Sequence, residues 1–379
     1  MIRLFLAGDV MLGRAIDQIL RHPGDPQLYE DYLKSAYDYV QLAERANGPI
    51  PRGVDLAYVW GDADVVLERA NASCGIVNLE TAITDARTPE PKGINYRMNP
   101  RNAEGLKQLG IDCCVLANNH VLDWGAKGLM QTLDTLHGMA MATAGAGRSA
   151  AEAAKPAILH HENRRVLVFG FAASDSGVPH HWAAQPNGPG VNYLHALDEK
   201  MIRSIKSQVS EIKRNGDTAI ASIHWGSNWG YDIPPAHISF ARALIDEALI
   251  DIVHGHSSHH AKGWEIHHGK LILYGCGDFL NDYEGISGQE EYRGDLASMY
   301  LPEVDENAGG SLTSLTIIPF RIRNFKLIRA SSEDVKWLCS TLNNQCRSVG
   351  MRLVTDPDGG MCLQQDHSPA VPSQRWEWS

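Results

Sequence analysis

Short apolar runs alternate with longer amphipathic segments along most of the chain. The apolar runs predict strands at residues 3–7, 75–79, 113–117, 165–172, 218–223, 250–254 and 270–275. Apolar residues with helical spacing predict helices at 126–136, 199–214 and 236–248. Strands that alternate with helices in this way are typical of an α/β protein whose sheets are covered by helices.

Three further segments complete this organisation. Residues 21–62 are rich in Pro, Gly, Tyr and Asp without a clean strand, and we expect a helical insertion near the mouth of a cleft. Residues 312–330 alternate as further strands, which we expect to complete a second sheet. A helix at 333–349 and a tail follow, so we predict a main domain at 1–330 and a small appendage at 331–379 whose last residues are disordered.

Composition and charge narrow the class of protein. The 379 residues are 44% hydrophobic and 21% charged, which is the balance of a soluble globular protein. The net charge of −11 repels phosphate backbones and anionic lipid, so we expect neither a nucleic acid nor a membrane as a partner. The apolar run before Asp9 is too short for a signal peptide or a membrane span, and we expect a cytoplasmic protein.

Polar side chains follow most of the predicted strands. Open α/β sheets place their sites at the carboxyl ends of strands, and we therefore expect these side chains to meet in one cleft. They are Asp9, Asn78, Glu80, Asn118, Asn119, His120, His224, His254, His256 and Asp278.

Histidines are concentrated in one segment. Six of the 17 histidines fall within residues 254–268, in the run HGHSSHHAKGWEIHH. Several neutral imidazoles after a strand and a glycine turn are typical of a metal site. His267 and His268 should fall on a strand edge and are the expected bystanders.

Five motifs in order carry a family resemblance. They are AGDVMLGR (7–14), VNLETAIT (77–84), LANNHVLDWG (116–125), IHWGSNWGY (223–231), and DIVHGHSSHHAKG (251–263) followed by LILYGCGDFLNDYEG (271–285). From about residue 2 to about residue 329 the chain resembles the CapA-type proteins of poly-γ-glutamate capsule synthesis, which are similar in fold to calcineurin-like metallophosphoesterases. The resemblance implies a four-layer α/β/β/α sandwich with two mixed β-sheets.

The same resemblance implies a set of metal ligands. It assigns Asp9 as first ligand, Glu80 as bridging carboxylate, Asn119 as amide ligand, His120 as acid/base, His224 as the isolated histidine, and His256 and His259 as the final pair. Met11 stands where a phosphoesterase has its second ligand, and a thioether is a poor donor to a hard divalent ion. We therefore expect one divalent ion, with two as the alternative, and Ca, Mn, Mg or Zn as the candidates.

Loss of one metal position disfavours ordinary phosphoester hydrolysis, which uses two ions. His120 with Asp123 forms one candidate acid/base pair, and His256 or His259 with Asp278 or Asp282 forms another. Two such groups on opposite sides of a carbon atom suit proton removal and return with inversion. Some CapA-like proteins are peptide epimerases, so the sharpest hypothesis is metal-dependent Cα epimerisation, L to D, on a peptide or small amino-acid carboxylate. The alternatives are a metallophosphoesterase that tolerates Met11 and a component of poly-γ-glutamate synthesis.

Simpler roles remain open for several of these residues. Asp9 could cap the following helix, and Glu80 could be an exposed turn carboxylate. Asn119 could be a turn residue that tolerates unusual backbone angles. Asp123 could be a charge at a helix N-terminus. Aromatic residues beside the motifs suggest a pocket wall for a sizeable side chain or peptide, and Arg14 and Arg97 are candidate clamps for a substrate carboxylate. The aromatic residues are Trp124, Trp225, Trp229, Tyr231, Trp264 and Tyr283.

Overall fold

The computed structural model describes residues 1–365. The helices are α1 (Arg14–Ile19), α2 (Ala36–Asn47), α3 (Leu56–Trp60), α4 (Asp62–Ala70), α5 (Gly105–Gln108), α6 (Gly125–Gly138), α7 (Ala150–Ala153), α8 (Glu199–Ile212), α9 (Pro235–Asp246) and α10 (Ser332–Asn344). The strands are β1 (Ile2–Val10), β2 (Cys74–Leu79), β3 (Ala82–Ile83), β4 (Arg97–Met98), β5 (Cys113–Val115), β6 (Ala142–Ala144), β7 (Ala146–Gly147), β8 (Ala157–His161), β9 (Arg164–Ala173), β10 (Gly190–Val191), β11 (Tyr193–Leu194), β12 (Thr218–His224), β13 (Ile252–His256), β14 (Trp264–His267), β15 (Lys270–Leu273), β16 (Asp278–Leu280), β17 (Leu296–Asp305), β18 (Ser311–Ile322), β19 (Leu327–Arg329), β20 (Met351–Thr355) and β21 (Met361–Gln365).

Two large mixed sheets form the centre of the molecule. The first has ten strands in the order β20-β21-β18-β17-β1-β2-β5-β6, with β16 paired to β1 and β19 to β18. The second has seven strands in the order β11-β9-β12-β13-β15-β14, with β8 paired to β9. Every strand predicted from the apolar runs overlaps one of these strands.

Successive side chains of β1 belong to different hydrophobic cores, which shows how the two sheets are stacked. Leu4 and Leu6 belong to a core shared with Val166 and Val168 of the second sheet, whereas Phe5 belongs to a separate core with the helices beside the first sheet. A third core lies between the second sheet and helices α8 and α9. Because successive side chains of a strand point to opposite faces, each sheet packs on its partner with one face and on helices with the other. The predicted four-layer α/β/β/α sandwich is confirmed.

The prediction for residues 312–330 was wrong about the sheet. These strands, β18 and β19, extend the first sheet, which also contains β1. The cause is β17, which the sequence pattern did not reveal and which pairs antiparallel with both β1 and β18. Since only residues 306–310 connect β17 to β18, the two strands form a hairpin and stay in one sheet.

The predicted insertion and appendage both contact the main body. Helices α2 and α3 lie within residues 21–62, and their side chains Tyr39 and Trp60 join the core beside the first sheet. Helix α10 begins at a capping box of Ser331 with Asp334 and ends before the predicted 349. Strand β21 then pairs with β18, so the chain after 330 widens the first sheet. The expected disordered end falls in residues 366–379, outside the described residues.

Within residues 1–365, none of the helices combines the length and the hydrophobicity that crossing a bilayer requires.

Candidate metal centre

Parallel register brings side chains of the first sheet to one edge. Asp9 near the end of β1 is the register partner of Asp278 at the start of β16, and the Asp9 backbone N–H donates to the Gly277 carbonyl at 3.1 Å. Gly8 permits this approach, because a Cβ atom at that position would lie 1.9 Å from the Gly277 oxygen. The β1 ladders to β2 and to β16 both shift register beside Asp9, as at bulges near active sites.

The second sheet supplies the histidines. His224 ends β12 and His256 ends β13, and the two are register partners in parallel strands. Their Nδ1 atoms are 3.0 Å apart, and His256 Nδ1 lies 3.7 Å from Asp9 Oδ1. The turn that follows holds Ser257 at φ 103°, and its backbone N–H donates to Asp9 Oδ2 at 3.1 Å. Such strain in a residue other than glycine is typical of functional sites.

Two groups of metal-ligating side chains share Asp9. One group comprises Asp9, His224 and His256, and the other comprises Asp9, Glu80, His259 and Asp278. Within each group the donor atoms all lie within 4.8 Å of one another, and every side chain is buried. Asn119 Oδ1 is 3.2 Å from His224 Nε2 and extends the first group. The predicted ligand residues thus lie together, while their roles as ligands remain predictions.

The charges at this position suit a divalent cation. Burial, followed by the repulsion of Asp278, raises the pKa of Asp9 to about 8. Burial and the same carboxylates raise the pKa of Glu80 well above its usual range. Burial lowers the pKa of His224 and His256, which favours the neutral imidazole that metals bind. Buried carboxylates beside neutral imidazoles are a donor set that fits a divalent ion.

The second group of donors is complete without a ligand at position 11, where the chain has Met11. Its side chain is buried and its backbone N–H donates to the Leu280 carbonyl. Asp278 and His259 join Asp9 and Glu80 in this group without any contribution from residue 11. Sequence reasoning proposed Asp278 as an acid/base only. The repeated Gly-Asp at 8–9 and 277–278 was the signal that could have identified it as a ligand.

His120 and Asp123 form a buried pair. His120 Nδ1 lies 2.7 Å from Asp123 Oδ2, and His120 Nε2 lies 4.0 Å from Glu80 Oε1. The Tyr96 ring stacks on the imidazole at 4.0 Å, and the Tyr96 backbone N–H donates to Asp123 Oδ2 at 2.6 Å. Burial lowers the pKa of His120 to about 4, although Asp123 opposes this shift.

Lys92 is a site residue that sequence reasoning missed. Its Nζ lies 2.6 Å from Asp123 Oδ1 and 3.4 Å from His120 Nδ1, and it also donates to the Asn119 carbonyl. Lys92 belongs to the Pro/Gly-containing loop before Tyr96, where no local pattern marks a functional lysine. Only the fold brings that loop onto the Asn119–Asp123 turn.

A second imidazole–carboxylate pair is formed by His259 and Asp278. Their Nδ1 and Oδ1 atoms are 3.0 Å apart, and Asn281 donates to the other carboxylate oxygen at 2.7 Å. Burial lowers the pKa of His259, but the charge and hydrogen bond of Asp278 together with the charge of Asp9 outweigh burial, and the net pKa is raised. Asp282, the alternative partner, instead binds the Arg14 guanidinium, with Nε to Oδ2 at 2.8 Å.

The other predicted residues lie in different surroundings. Arg97 donates to the Ala86 and Asp25 carbonyls, and Arg14 is held by carboxylates, so neither has a guanidinium free to act as a clamp. His267, on the edge strand β14, and His268, in the next turn, contact the Asp246 carboxylate in a separate group of which Asp246 and His268 are exposed.

A cavity of about 530 Å³ adjoins the site, and its lining includes His259, Tyr96, Tyr283 and Trp229. The Trp229 ring lies 5.4 Å from His259, and the Tyr283 hydroxyl lies 3.5 Å from His259 Nε2. The cavity therefore gives a substrate access to the His259–Asp278 pair.

Comparison with known proteins identifies relatives along most of the chain. A family model described as "Bacterial capsule synthesis protein PGA_cap" matches residues 3–283, which include both groups of donors. A probable polyglutamine synthesis accessory protein of Mycobacterium tuberculosis is 47% identical over 94% of each chain. The PGA biosynthesis protein CapA of Bacillus subtilis is 28% identical over 73% of this chain and 62% of its own length. A solved structure from Mycoplasma pneumoniae, described as a novel phosphatase, aligns at 12% identity over 84% of this chain and 93% of that chain, with a TM-score of 0.42.

Proposed function

The chain belongs to the PGA_cap family of bacterial capsule synthesis proteins, and from this premise we propose that it is a metal-dependent enzyme that epimerises the α-carbon of a peptide residue. The substrate class is a peptide or an amino-acid-like carboxylate. Asp9, His224, His256 and Asn119 would hold the divalent cation. This family membership leaves the reaction open, and the proposal is therefore carried by the arrangement of side chains.

The single observation that carries the proposal is the presence of two imidazole–carboxylate pairs beside the group formed by Asp9, His224 and His256. Asp123 holds His120 by Nδ1, and Asp278 holds His259 by Nδ1. In both cases the carboxylate fixes the ring and leaves Nε2 available. The sequence favoured His256 as the second acid/base, but both of its nitrogens have buried partners. His259 lines the cavity and suits this role better.

Epimerisation by these two groups needs no other reactant. One imidazole accepts the proton from the α-carbon, whose C–H electron pair moves into the adjacent carbonyl. The other imidazole returns a proton to the opposite face of that carbon. A bound divalent cation would polarise the carbonyl oxygen and stabilise its developing charge. Lys92 and Tyr96 keep the His120–Asp123 pair in place throughout.

Exchange in heavy water tests this proposal. Candidate peptides incubated with the metal-loaded protein should gain deuterium at one α-position and become a mixture of epimers, as measured by mass spectrometry and chiral chromatography. His120→Gln and His259→Gln should each slow epimerisation by about 10²–10⁴-fold. His268→Gln, at an exposed histidine outside the site, should leave the rate unchanged. Absence of exchange with every peptide, in protein shown to contain metal, would refute the proposal.

Phosphoester hydrolysis is the second candidate, and the second group of donors favours it. If Asp9, Glu80, His259 and Asp278 hold a second ion, the His259–Asp278 pair is occupied and a two-metal displacement becomes available. Elemental analysis should therefore give about one ion per chain for an epimerase and about two for a phosphoesterase. Hydrolysis of p-nitrophenyl phosphate after manganese loading, lost in His120→Gln, would support the second candidate.

A non-catalytic role in polymer synthesis is the third candidate. It is favoured by the relatives' names, which assign them to polyglutamine and PGA synthesis. Such a role would survive His120→Gln in a complementation assay for polymer production, whereas either enzymatic role would be lost.

A further inference from the structure

Aromatic and aliphatic side chains line part of the cavity beside His259, among polar and charged ones. Tyr96, Trp229 and Tyr283 line its inner part near the imidazole. At the surface it is lined by Tyr32, which is 66% exposed, and by Ile286, which is 48% exposed. Single exposed apolar side chains are ordinary, but several around one cavity mark a binding surface for an apolar group.

Three of the four arginines that line the same cavity already pair with carboxylates. An anionic ligand would have to compete with these carboxylates for the guanidinium groups. Three arginines of the lining are ion-paired: Arg14 with Asp282 and Glu30, Arg293 with Asp295 and Asp334, and Arg321 with Asp295.

The rest of the cavity also disfavours negative charge. Burial raises the pKa of Glu284, and the charge of Arg323 opposes that rise, so the fourth arginine also lies near a carboxylate. Glu290 adds a further carboxylate to the lining. Among the described residues the lining thus offers no arginine or lysine without an acidic neighbour. The net charge of −11 repels a polyanion at longer range as well.

We propose that this cavity binds an uncharged segment of the peptide substrate that carries a large apolar side chain, and that it excludes polyanionic chains. The inference rests on the proposed function in taking the substrate to be a peptide, and it adds the class of side chain. Stacking on Tyr32 and Trp229 and contact with Ile286 would hold the segment while His259 faces the adjoining residue.

Calorimetric binding to the metal-loaded protein tests this without requiring turnover. The probes are acetyl-Ala-X-Ala-amide with X as Phe, Gln or Glu, together with oligo-γ-glutamate. The Phe peptide should bind at least about tenfold more tightly than the Glu peptide, since burial of one aromatic side chain is worth that much. Its affinity should change less than about twofold between about 0.05 and about 0.5 M salt. Tighter binding of the Glu peptide or of oligo-γ-glutamate, weakening steeply with salt, would overturn the proposal.

Variants at the mouth locate the effect. Tyr32→Ala and Ile286→Ser should each weaken binding of the Phe peptide by about two- to tenfold. Both side chains are exposed, so neither substitution removes core packing. Tyr37→Ala is the matched control, because Tyr37 is 41% exposed in the same insertion but does not line the cavity. Equal binding by all three variants and the wild type would contradict the proposed surface. If the wild type binds the Phe peptide as expected but shows no deuterium exchange, the result would count against the proposed epimerase activity and not against the proposed binding surface.

Discussion

His256 is held through both ring nitrogens. Its Nδ1 atom faces His224 and Asp9, while its Nε2 atom lies 3.0 Å from Ser222 Oγ. Ser222 Oγ is in turn 2.9 Å from His254 Nδ1, and all three side chains are buried. If His256 Nε2–H donates to Ser222, the nitrogen that remains for a cation is Nδ1. In that arrangement the serine and His254 would fix the tautomer of this proposed ligand.

Ser222→Ala should weaken binding of the divalent ion by about 10–100-fold, because the ring loses the partner that orients it. Titration calorimetry with Mn²⁺ or Zn²⁺ measures this directly. Ser298→Ala is the matched control, since Ser298 is a buried strand serine whose Oγ has no hydrogen-bond partner among the described residues. Equal affinity in the two variants would show that Ser222 does not orient His256.

Asp17 gives a pH dependence outside the site. Burial raises its pKa from 3.8 to about 6, although hydrogen bonds from Asn99, Gly24 and Asn102 oppose this shift. Between these values the folded chain binds more protons at Asp17 than the unfolded chain, so this carboxyl makes stability fall as pH rises. Asp17→Asn removes the contribution. The midpoint of urea unfolding of the wild type minus that of the variant should therefore decrease from about pH 4 to about pH 6. A constant difference would contradict the assignment.

Between elements, one buried carboxylate joins three segments. Asp251, just before β13, lies 2.6 Å from Lys213 Nζ after α8 and 2.6 Å from Lys270 Nζ at the start of β15. It also accepts from the Ala219 backbone N–H in β12 at 2.8 Å. These contacts hold together the amino-terminal ends of β12, β13 and β15. His224 and His256 lie at the opposite, carboxyl-terminal ends of β12 and β13.

Asp251→Asn should lower the free energy of unfolding by about 3 kcal/mol, because two lysines and one N–H lose a charged acceptor. Denaturant unfolding of the purified variant measures the loss. Asp246→Asn is the control and should cost less than about 1 kcal/mol, since Asp246 is exposed and its ion pairs with His267 and His268 are partly exposed as well. Equal losses would show that burial of the Asp251 contacts contributes nothing.

At the scale of the whole molecule, the donor groups span the two sheets. Asp9, Glu80 and Asp278 come from or follow strands of the first sheet, and His224, His256 and His259 come from or follow strands of the second. A cation bound here would therefore connect the two halves of the sandwich, and its binding would stabilise the folded chain as a whole.

Removal of the metal should lower the melting temperature. With free metal at about 100 times its Kd, binding adds about 2.7 kcal/mol to stability, and a chelator should abolish that gain. Differential scanning calorimetry of wild type and Asp9→Asn, with and without EDTA, measures the effect. The variant should melt at the same temperature in both conditions. A wild type insensitive to EDTA would argue against a bound ion at this position.

Local patterns in the sequence determined a large part of this protein. Continuous apolar runs located seven strands, because a strand that is buried on both faces needs apolar residues throughout. These strands are β1, β2, β5, β9, β12, β13 and β15. The histidine run and the polar residues after strands marked the site, since chemical donor types are visible without a fold. The family resemblance predicted that two sheets pack on each other with helices outside, in the order α/β/β/α.

Tertiary structure decided what depends on contacts between distant segments. Asp278 lies beside Asp9 although 269 positions separate them along the chain. Because of this position Asp278, which the sequence indicated only as an acid/base, is also a candidate metal ligand. Lys92, Ser222 and Tyr96 acquire their places only when loops and strands pack together. Likewise β17 directed β18 into the first sheet. Periodicity records which face of an element is buried, whereas the partner across that face is set by packing and hydrogen bonding of the whole chain.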